Sequence, residues 1–220
     1  MSQRIPAWSY STLDSFLLCP KKYYAEKIAK SASEVTSEAT NYGSEAHKHF
    51  EQRVKNGKKL PMDLAHHEKV VARLAGAPGD KYTEQKIALT ADFKPTGFFD
   101  KDVWCRAVID LIIVNDANGV IVDWKFGKMK QEFDQLDLMV AVVFALYPEM
   151  QGIKGMFYWA KEKEITAKSY TRDDIPTIWN DFLPKVKRFN EAFAKEEFPA
   201  RPNYLCKRYC NVKSCPNHGV

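Results

Sequence analysis

The chain has 220 residues, 45% of them hydrophobic and 13% aromatic, which is enough to bury one core and excludes a disordered chain. Its longest apolar run, residues 138–147, is too short to span a bilayer, and the first ten residues lack the apolar segment of a signal peptide, which predicts a cytoplasmic protein. The net charge of +5 is a mild excess, compatible with a polyanionic partner without requiring one.

The first 80 residues predict helices. Residues 9–12 supply helix caps before the segment LDSFLLC, and Pro20 suits the first turn of a renewed helix. Two further helices are indicated by the apolar spacing of residues 41–57 and residues 63–76. The chain therefore opens with a helical part rather than with a sheet.

From residue 82 the hydrophobic period changes to two, which is typical of strands. The segments YTEQKIALT, VWCRAVIDLIIVN and GVIVDWKFG predict three strands, and the turn formers NDANG join the last two as a hairpin. A buried helix over residues 131–150, strands over 153–160 and 164–170, and a long helix from Asp174 to about Phe198 follow. This order predicts a mixed α/β protein with a central mixed sheet flanked by helices.

No linker or internal repeat divides the sequence, so a single domain over residues 1–220 is predicted. Its parts are a helical N-terminal part, a sheet core, a helix and a cysteine-rich segment, at residues 1–80, 81–172, 173–200 and 201–220.

The predicted hairpin brings charged residues to one face. If its turn holds an even number of residues, Asp110 lies directly opposite Asp123, and Lys125 shares their face because side chains alternate along a strand. Two carboxylates about 5 Å apart raise each other's pKa unless a cation lies between them. Mg²⁺ or Mn²⁺ is the economical solution, with the main-chain carbonyl of Trp124 as a further ligand.

A metal ion beside a lysine indicates phosphodiester hydrolysis. The ion polarises a phosphoryl oxygen and acidifies its bound water, while Lys125 positions or deprotonates that water and offsets the growing negative charge. The alternative is a solvated sheet face held by salt bridges, which is common in antiparallel sheets. The apolar residues around the charges favour the metal site, because buried charges need partners or metals.

Five segments in order, GSEAH, YTEQKI, AVIDLIIV, IVDWKFG and QLDLM, resemble the PD-(D/E)XK nuclease superfamily. The resemblance is to its RecB-like exonuclease branch, which includes the CRISPR adaptation exonucleases and many phage exonucleases. The opening WSYSTLDSFLLCPKKYY is also similar to that branch, so nearly the whole chain is covered. The resemblance implies a restriction-endonuclease-like core and a Mg²⁺- or Mn²⁺-dependent DNA exonuclease.

The same resemblance assigns roles to individual residues. It implies His47, Asp110 and Asp123 as metal ligands and Lys125 as the catalytic lysine. Glu84, on the first predicted strand, resembles the additional acidic residue of the family.

Gln135 matches the glutamine of a Gln-x-x-x-Tyr motif that contacts the active site or DNA. The tyrosine position of that motif is Met139 in this chain, so the second half of the motif stays open. The histidines outside the motifs, His49, His66 and His67, are expected on the surface.

Four cysteines lie near the two ends of the chain: Cys19, Cys206, Cys210 and Cys215. The resemblance implies that they hold a [4Fe-4S] cluster, which would tie the two ends together. Their C-terminal spacing differs from the two-residue first gap of the family, and zinc, with four cysteines or with three and His218, is the alternative. Cys105 falls inside a predicted strand and is expected to be a buried core thiol.

The expected substrate is DNA, as single strands or duplex ends, in recombination, repair, replication or spacer acquisition in a bacterium or a phage-infected cell. The chain has no G-x-x-x-x-G-K-[ST] motif and thus no ATP motor of its own, so a helicase, recombinase or integrase partner and an oligomer are open alternatives. A different class also stays open, a non-catalytic nucleic-acid-binding or partner-docking module on a nuclease fold. The intact acids and lysine argue against that module.

Overall fold

The computed structural model describes residues 5–33 and 38–220, with side chains for residues 5–33 and 40–220. Its contacts separate two units, Met1–Ser37 with Trp179–Val220, and Glu38–Ile178. Within the described ranges, no helix combines the length and the apolar character that crossing a membrane requires.

The first unit begins with helices that the predicted caps explain. Helix α1 spans Tyr10–Leu18, and the hydroxyl of its cap, Ser9, accepts a hydrogen bond from the Thr12 amide at 3.3 Å. Helix α2, Pro20–Tyr23, has its proline at the first position, where no amide hydrogen bond is lost. A π-helical turn, Tyr24–Ile28, continues it.

Two helices precede the sheet in the second unit. Helix α3 spans Glu38–Asn56 and ends before Gly57, whose φ of +69° is in the left-handed region that glycine adopts freely. The next predicted helix is divided into a 3₁₀ segment, Met62–His67, and helix α4, Glu68–Ala75. Both predicted helices are therefore present, the second with a different geometry in its first half.

The described strands form a six-stranded sheet: β1 (Asp80–Leu89), β2 (Pro95–Thr96), β3 (Cys105–Asn115), β4 (Asn118–Lys125), β5 (Gly152–Trp159) and β6 (Glu164–Thr171). The spatial order is β2-β1-β3-β4-β5-β6, with β4 and β5 parallel and all other neighbours antiparallel. Helix α5, Asp134–Leu146, is the crossover that a parallel pair requires. This mixed sheet with its helices confirms the predicted fold class.

After the sheet, helix α6 spans Ile175–Lys195 and continues through Pro184. The cysteine-rich segment beyond it consists of turns. The two-residue strand β2 was not predicted, because two residues are too few to show a period.

The β3–β4 hairpin has the register that the sequence predicted. The ladder begins at Leu111 opposite Val122 and closes on a two-residue turn. The first turn residue, Asp116, has a φ of +51°, typical of the primed turns that match strand twist. One step beyond the ladder, Asp110 therefore lies across from Asp123.

The core of the second unit lies between helix α3 and one face of the sheet. Phe50 of α3 is fully buried and meets the Trp124 ring edge to face at 5.1 Å. Leu111 of β3 belongs to the same cluster. Cys105 is 0% exposed, which confirms the predicted core thiol, and burial raises its pKa.

His67 is buried, so its predicted surface position was wrong. Its side chain is 2% exposed, and Nδ1 lies 2.7 Å from the Tyr158 hydroxyl. Burial, with the charges of His66 and Lys163, lowers the pKa of His67 to about 4. The spacing from His67 to buried Leu64, three residues earlier, is the sequence signal that places it on the inner face.

This buried imidazole predicts an acid-sensitive contribution to stability. Because the folded pKa of about 4 is below the ordinary value of 6.5, the folded state binds fewer protons, and stability is lost as the pH falls from 6.5 towards 4. We expect His67→Gln to remove up to about 3 kcal/mol of the pH dependence of the unfolding free energy, measured by urea titration between pH 7 and pH 4. His49 on helix α3, which is not among the causes of the His67 shift, supplies the control, since His49→Gln should keep the wild-type slope. Equal slopes for all three proteins would contradict the assignment.

Candidate active site

Asp110 occupies the point where the β3–β4 ladder ends. The Trp124 amide, which has no β3 carbonyl opposite it in the ladder, donates a hydrogen bond to Asp110 Oδ2 at 2.7 Å. Asp110 Oδ1 lies 3.3 Å from Nδ1 of His47 on helix α3. The His47 ring packs at 5.4 Å from the Phe126 ring. The carboxylate is thus oriented by β4 and faces the imidazole.

Glu84 completes a group of three possible ligands with His47 and Asp110. One ligand atom from each residue lies within 4.8 Å of the other two, and within the described ranges this is the one such group of histidine, cysteine or acidic side chains. All three residues are partly accessible rather than fully buried. One nitrogen and two carboxylate oxygens at this spacing are able to bind a divalent cation.

The backbone of β1 is distorted at Glu84. Its φ is +49°, a left-handed conformation that costs a residue other than glycine about 1–3 kcal/mol. Thr83 and Gln85 pair with β3 on either side, whereas Glu84 forms no ladder pair. Strain of this kind in the middle of a strand is typical of functional sites, where it redirects a side chain.

Asp123 of β4 forms a closed network with Lys125 and Gln135. Lys125 Nζ lies 2.6 Å from Asp123 Oδ2 and donates a hydrogen bond to Gln135 Oε1 at 2.7 Å. Gln135 Nε2 donates to Asp123 Oδ1 at 2.9 Å. Because Gln135 lies in the first turn of α5, the crossover helix fixes both charged groups.

The charges of the site shift the pKa values of its members. Burial, together with the charge of Asp110, raises the pKa of Asp123 against the opposing effect of Lys125. Burial and the Asp110 charge likewise raise the pKa of Glu84. Burial lowers the pKa of His47, but the hydrogen bond to Asp110 and the nearby acids outweigh it, so the net shift is upward. A bound cation would relieve the repulsion that these shifts express.

The group of possible ligands includes Glu84, and Asp123 as a metal ligand stays a prediction. Glu84, rather than Asp123, is the third member of the group around His47 and Asp110. Asp123 is 4% exposed and has the Lys125 ammonium as its counter-charge. The β1–β3 register places Glu84 opposite Asp110, but the sequence pattern alone does not show that β1 pairs with β3 or in which register.

Two further predicted positions lie beside the network. Trp124 contacts Asp110 through its amide, and a role for its carbonyl stays a prediction. Met139, at the tyrosine position of the Gln-x-x-x-Tyr motif, is 5% exposed and belongs to the core. One turn after Gln135, the side chain of helix α5 at position 139 therefore packs in the core and adds no polar group to the site.

The cysteines near the chain ends meet within the first unit. Cys19, Cys206, Cys210 and Cys215 line one small cavity together with His218. None of these four cysteines forms a disulfide bond. Two sulfurs accept main-chain hydrogen bonds at 3.4 Å, Cys19 from the Arg201 amide and Cys206 from the Asn203 amide. A ligand shared by these four thiols stays a prediction.

Comparison with known proteins gives a family and a fold. The model of the PD-(D/E)XK nuclease superfamily matches residues 7–216. No curated protein sequence matches the chain.

Several solved structures are similar. SSO0001 is 15% identical, with 99% of this chain and 89% of that chain covered and a TM-score of 0.51. A protein from Eubacterium rectale, provisionally described as an exonuclease, is 14% identical, with 91% and 85% covered and a TM-score of 0.56. LHK-Exo in complex with dAMP is 12% identical, with 88% and 90% covered and a TM-score of 0.45. At these identities the first two similarities show a shared fold.

The three-residue group predicts divalent-cation binding that is measurable without catalysis. We expect Mn²⁺ to raise the melting temperature of the wild-type protein. At a Mn²⁺ concentration of 100 times Kd, binding should add about 2.7 kcal/mol to the free energy of unfolding. Asp110→Asn and Glu84→Gln should each weaken Mn²⁺ binding at least about 10-fold, because each removes an anionic oxygen ligand. Glu149→Gln, an exposed acid after helix α5, is the matched control and should bind as the wild type does. Undiminished Mn²⁺ affinity in both site variants would contradict the proposed ligands.

Proposed function

Because this chain belongs to the PD-(D/E)XK nuclease superfamily, we propose that it is a Mg²⁺- or Mn²⁺-dependent deoxyribonuclease that degrades DNA from an end. One observation carries the proposal. The ligand group of His47, Glu84 and Asp110 lies beside the hydrogen-bonded network of Asp123 and Lys125. A cation site next to a fixed ammonium supplies the two positive charges that phosphodiester hydrolysis requires.

The donor set fits a hard divalent cation. Carboxylate oxygens are preferred by Mg²⁺ and Mn²⁺, and Glu84, Asp110 and the neighbouring Asp123 supply them, with His47 as a nitrogen ligand. When bound, the cation supplies Lewis-acid polarisation of the scissile phosphate and a more acidic water. Its charge also offsets the repulsion that raises the pKa values of Glu84 and Asp123.

Lys125 has the position of the catalytic lysine. Its ammonium is held on one side by Asp123 and on the other by the Gln135 carbonyl oxygen, so it points to one place without further ordering. From that place it positions the attacking water and offsets negative charge on the pentacovalent phosphorane. Gln135 is a positioning residue in this scheme, because it contacts both Asp123 and Lys125.

Action on DNA ends or single strands rests on the sequence resemblance to the RecB-like branch. We infer a role in recombination, repair, replication or spacer acquisition in a bacterial or phage-infected cell. A helicase, recombinase or integrase would supply duplex unwinding or receive the trimmed DNA. The binding-module alternative is disfavoured by the intact network, since a protein that only binds DNA gains nothing from a buried Asp123 paired with Lys125.

We infer in addition that the four cysteines hold a [4Fe-4S] cluster. A zinc site with Zn–S bonds of about 2.3 Å needs thiolates about 3.8 Å apart. Within the described ranges no three cysteine sulfurs lie within 4.8 Å of one another, which favours a larger cluster. The main-chain amides that donate to Cys19 and Cys206 fit metal-bound thiolates. When bound, the cluster would cross-link Cys19 to residues 206–215.

A substitution at Lys125 tests the nuclease. Lys125→Met keeps an unbranched apolar side chain and removes the ammonium, so we expect at least about 100-fold slower cleavage of end-labelled single-stranded DNA with Mn²⁺. DNA binding should change little. Lys154→Met, an exposed lysine on β5, is the matched control and should cleave at the wild-type rate. Wild-type cleavage by Lys125→Met, or cleavage that persists in EDTA, would contradict the mechanism; binding without any cleavage would support the binding module.

Metal content tests the cluster. Anaerobically purified protein should be brown and contain about four iron and four sulfide per chain. Cys210→Ala should lose colour and iron, whereas Cys105→Ala should retain both because Cys105 lies in the core of the other unit. Colourless protein with one zinc per chain would overturn the inference.

A further inference from the structure

One face of strands β1 and β3 continues from the candidate active site towards the start of β3 as a strip in which Lys86 and Val108 are exposed, Arg106 is partly exposed and Ala88 is buried. Lys86 pairs with Val108, and Ala88 with Arg106. Arg106 and Val108 share the face of Asp110, because side chains alternate along β3. Val108 is 41% exposed, and at about 3.4 Å per residue Arg106 lies ~14 Å along the strand from Asp110. An extended polymer that is bound at the carboxylates and follows β3 towards Arg106 would lie on this strip.

Two consecutive aromatic rings stand over the far part of the strip. Phe99 is 80% exposed and meets Phe98 edge to face at 5.2 Å. Lys86 Nζ lies 5.8 Å from the Phe98 ring centroid and 5.9 Å from that of Phe99. The Arg106 guanidinium lies 5.3 Å from the Phe98 ring. Two cations and an open ring face are thus combined on one surface.

The loop that carries these rings is held in place by its own hydrogen bonds. The Asp100 carboxylate accepts hydrogen bonds from the Gly97 amide at 2.9 Å and from the Thr96 hydroxyl at 3.2 Å. A Cβ at position 97 would lie 2.5 Å from that carboxylate, so a larger residue there would displace the Asp100 side chain from this position. The Arg106 Nε donates to the Phe98 carbonyl at 2.9 Å, which fixes the loop on β3. Phe99 is therefore presented to solvent by a built turn.

We propose that this surface, formed by Lys86, Phe98, Phe99, Arg106 and Val108 and named the β1–β3 platform, binds a single-stranded segment of the DNA substrate. The proposal rests on the proposed function. A base stacks on the open face of Phe99, and Lys86 and Arg106 attract the phosphates beside it. Stacking on an aromatic ring tolerates any base, as a nuclease without sequence preference requires.

Charge and distance favour a nucleic acid over a protein partner. Lys86 lies two residues beyond Glu84 on the same face of β1, and together with Arg106 it places positive charge beside the two rings. A length of ~14 Å corresponds to about four nucleotides at 3.4 Å per phosphate of a stacked strand. A strand that reaches from Asp110 to Arg106, beside the Phe98 ring, therefore has room for a few nucleotides.

Binding of a short oligonucleotide tests the platform without catalysis. With Asp123→Asn as the background and Mg²⁺ present, a fluorescent twelve-residue oligothymidylate is titrated by anisotropy. Adding Phe99→Ala or Phe99→Leu should weaken binding roughly 5- to 100-fold, because both lack a ring, whereas Phe99→Tyr should retain it. Ile165→Ala, which removes another exposed apolar side chain on β6, is the matched control and should bind normally. Lys86→Ala should lower the salt slope of log K by about 0.7.

Cleavage separates the platform from the proposed function. In an otherwise wild-type chain, Phe99→Ala should lower kcat/KM for a long oligonucleotide roughly 5- to 100-fold. The p-nitrophenyl ester of thymidine 5′-monophosphate is too short to reach Phe99, so its cleavage should stay unchanged. A wild-type protein that cleaves no DNA refutes the proposed function, and the anisotropy titration still decides the platform. Wild-type DNA binding by Phe99→Ala and Phe99→Leu overturns the platform. The platform is also overturned if Phe99→Ala and Phe99→Leu change the oligomeric state of the protein and Phe99→Tyr binds DNA as weakly as these two variants.

Discussion

The enforced approach of Asp110 and Asp123 is the constraint on which the site depends. A two-residue turn between β3 and β4 fixes the register, and the register leaves the carboxylates no freedom to move apart along their strands. Each acid then acquires its own partners, the Trp124 amide and His47 for one, Lys125 and Gln135 for the other. The free-energy cost of burying these charges is reduced because each has an opposite charge or a hydrogen-bond donor beside it, and a bound cation would offset the remaining negative charge.

The same connections that make the fold also deliver the remaining groups. Parallel pairing of β4 and β5 demands a crossover, and that crossover is α5, whose first turn carries Gln135. Helix α3 packs Phe50 into the core against Trp124, and three residues earlier on the same face it holds His47 at the carboxylates. The groups to which we assign catalysis are thus on rigid elements whose positions are set by core packing, which is the preorganisation that electrostatic catalysis requires.

Sequence patterns predict the parts of this arrangement that depend on local chemistry. Hydrophobic periodicity and the turn residues NDANG give the hairpin and its register, and Pro20 and Gly57 mark helix limits that the structure keeps. Glu84 shows where such patterns fail, because it is placed opposite Asp110 by the pairing of β1 with β3, two strands that no short turn joins. The burial of His67 was not predicted for a different reason. A polar residue at a buried helical position needs a hydrogen-bond partner, and that partner, Tyr158, is distant in the sequence. The platform at Phe98 and Phe99 lies in a loop, where no period exists to indicate exposure.

The central claim is that one divalent cation is held between strands β1 and β3 and helix α3, next to the Lys125 ammonium. Anomalous diffraction from crystals soaked in Mn²⁺ tests this most directly. We expect a peak about 2.0–2.3 Å from carboxylate oxygens of Glu84 and Asp110 and from a ring nitrogen of His47. A peak bound to none of these three residues, or Mn²⁺ held elsewhere with this group unoccupied, would contradict it.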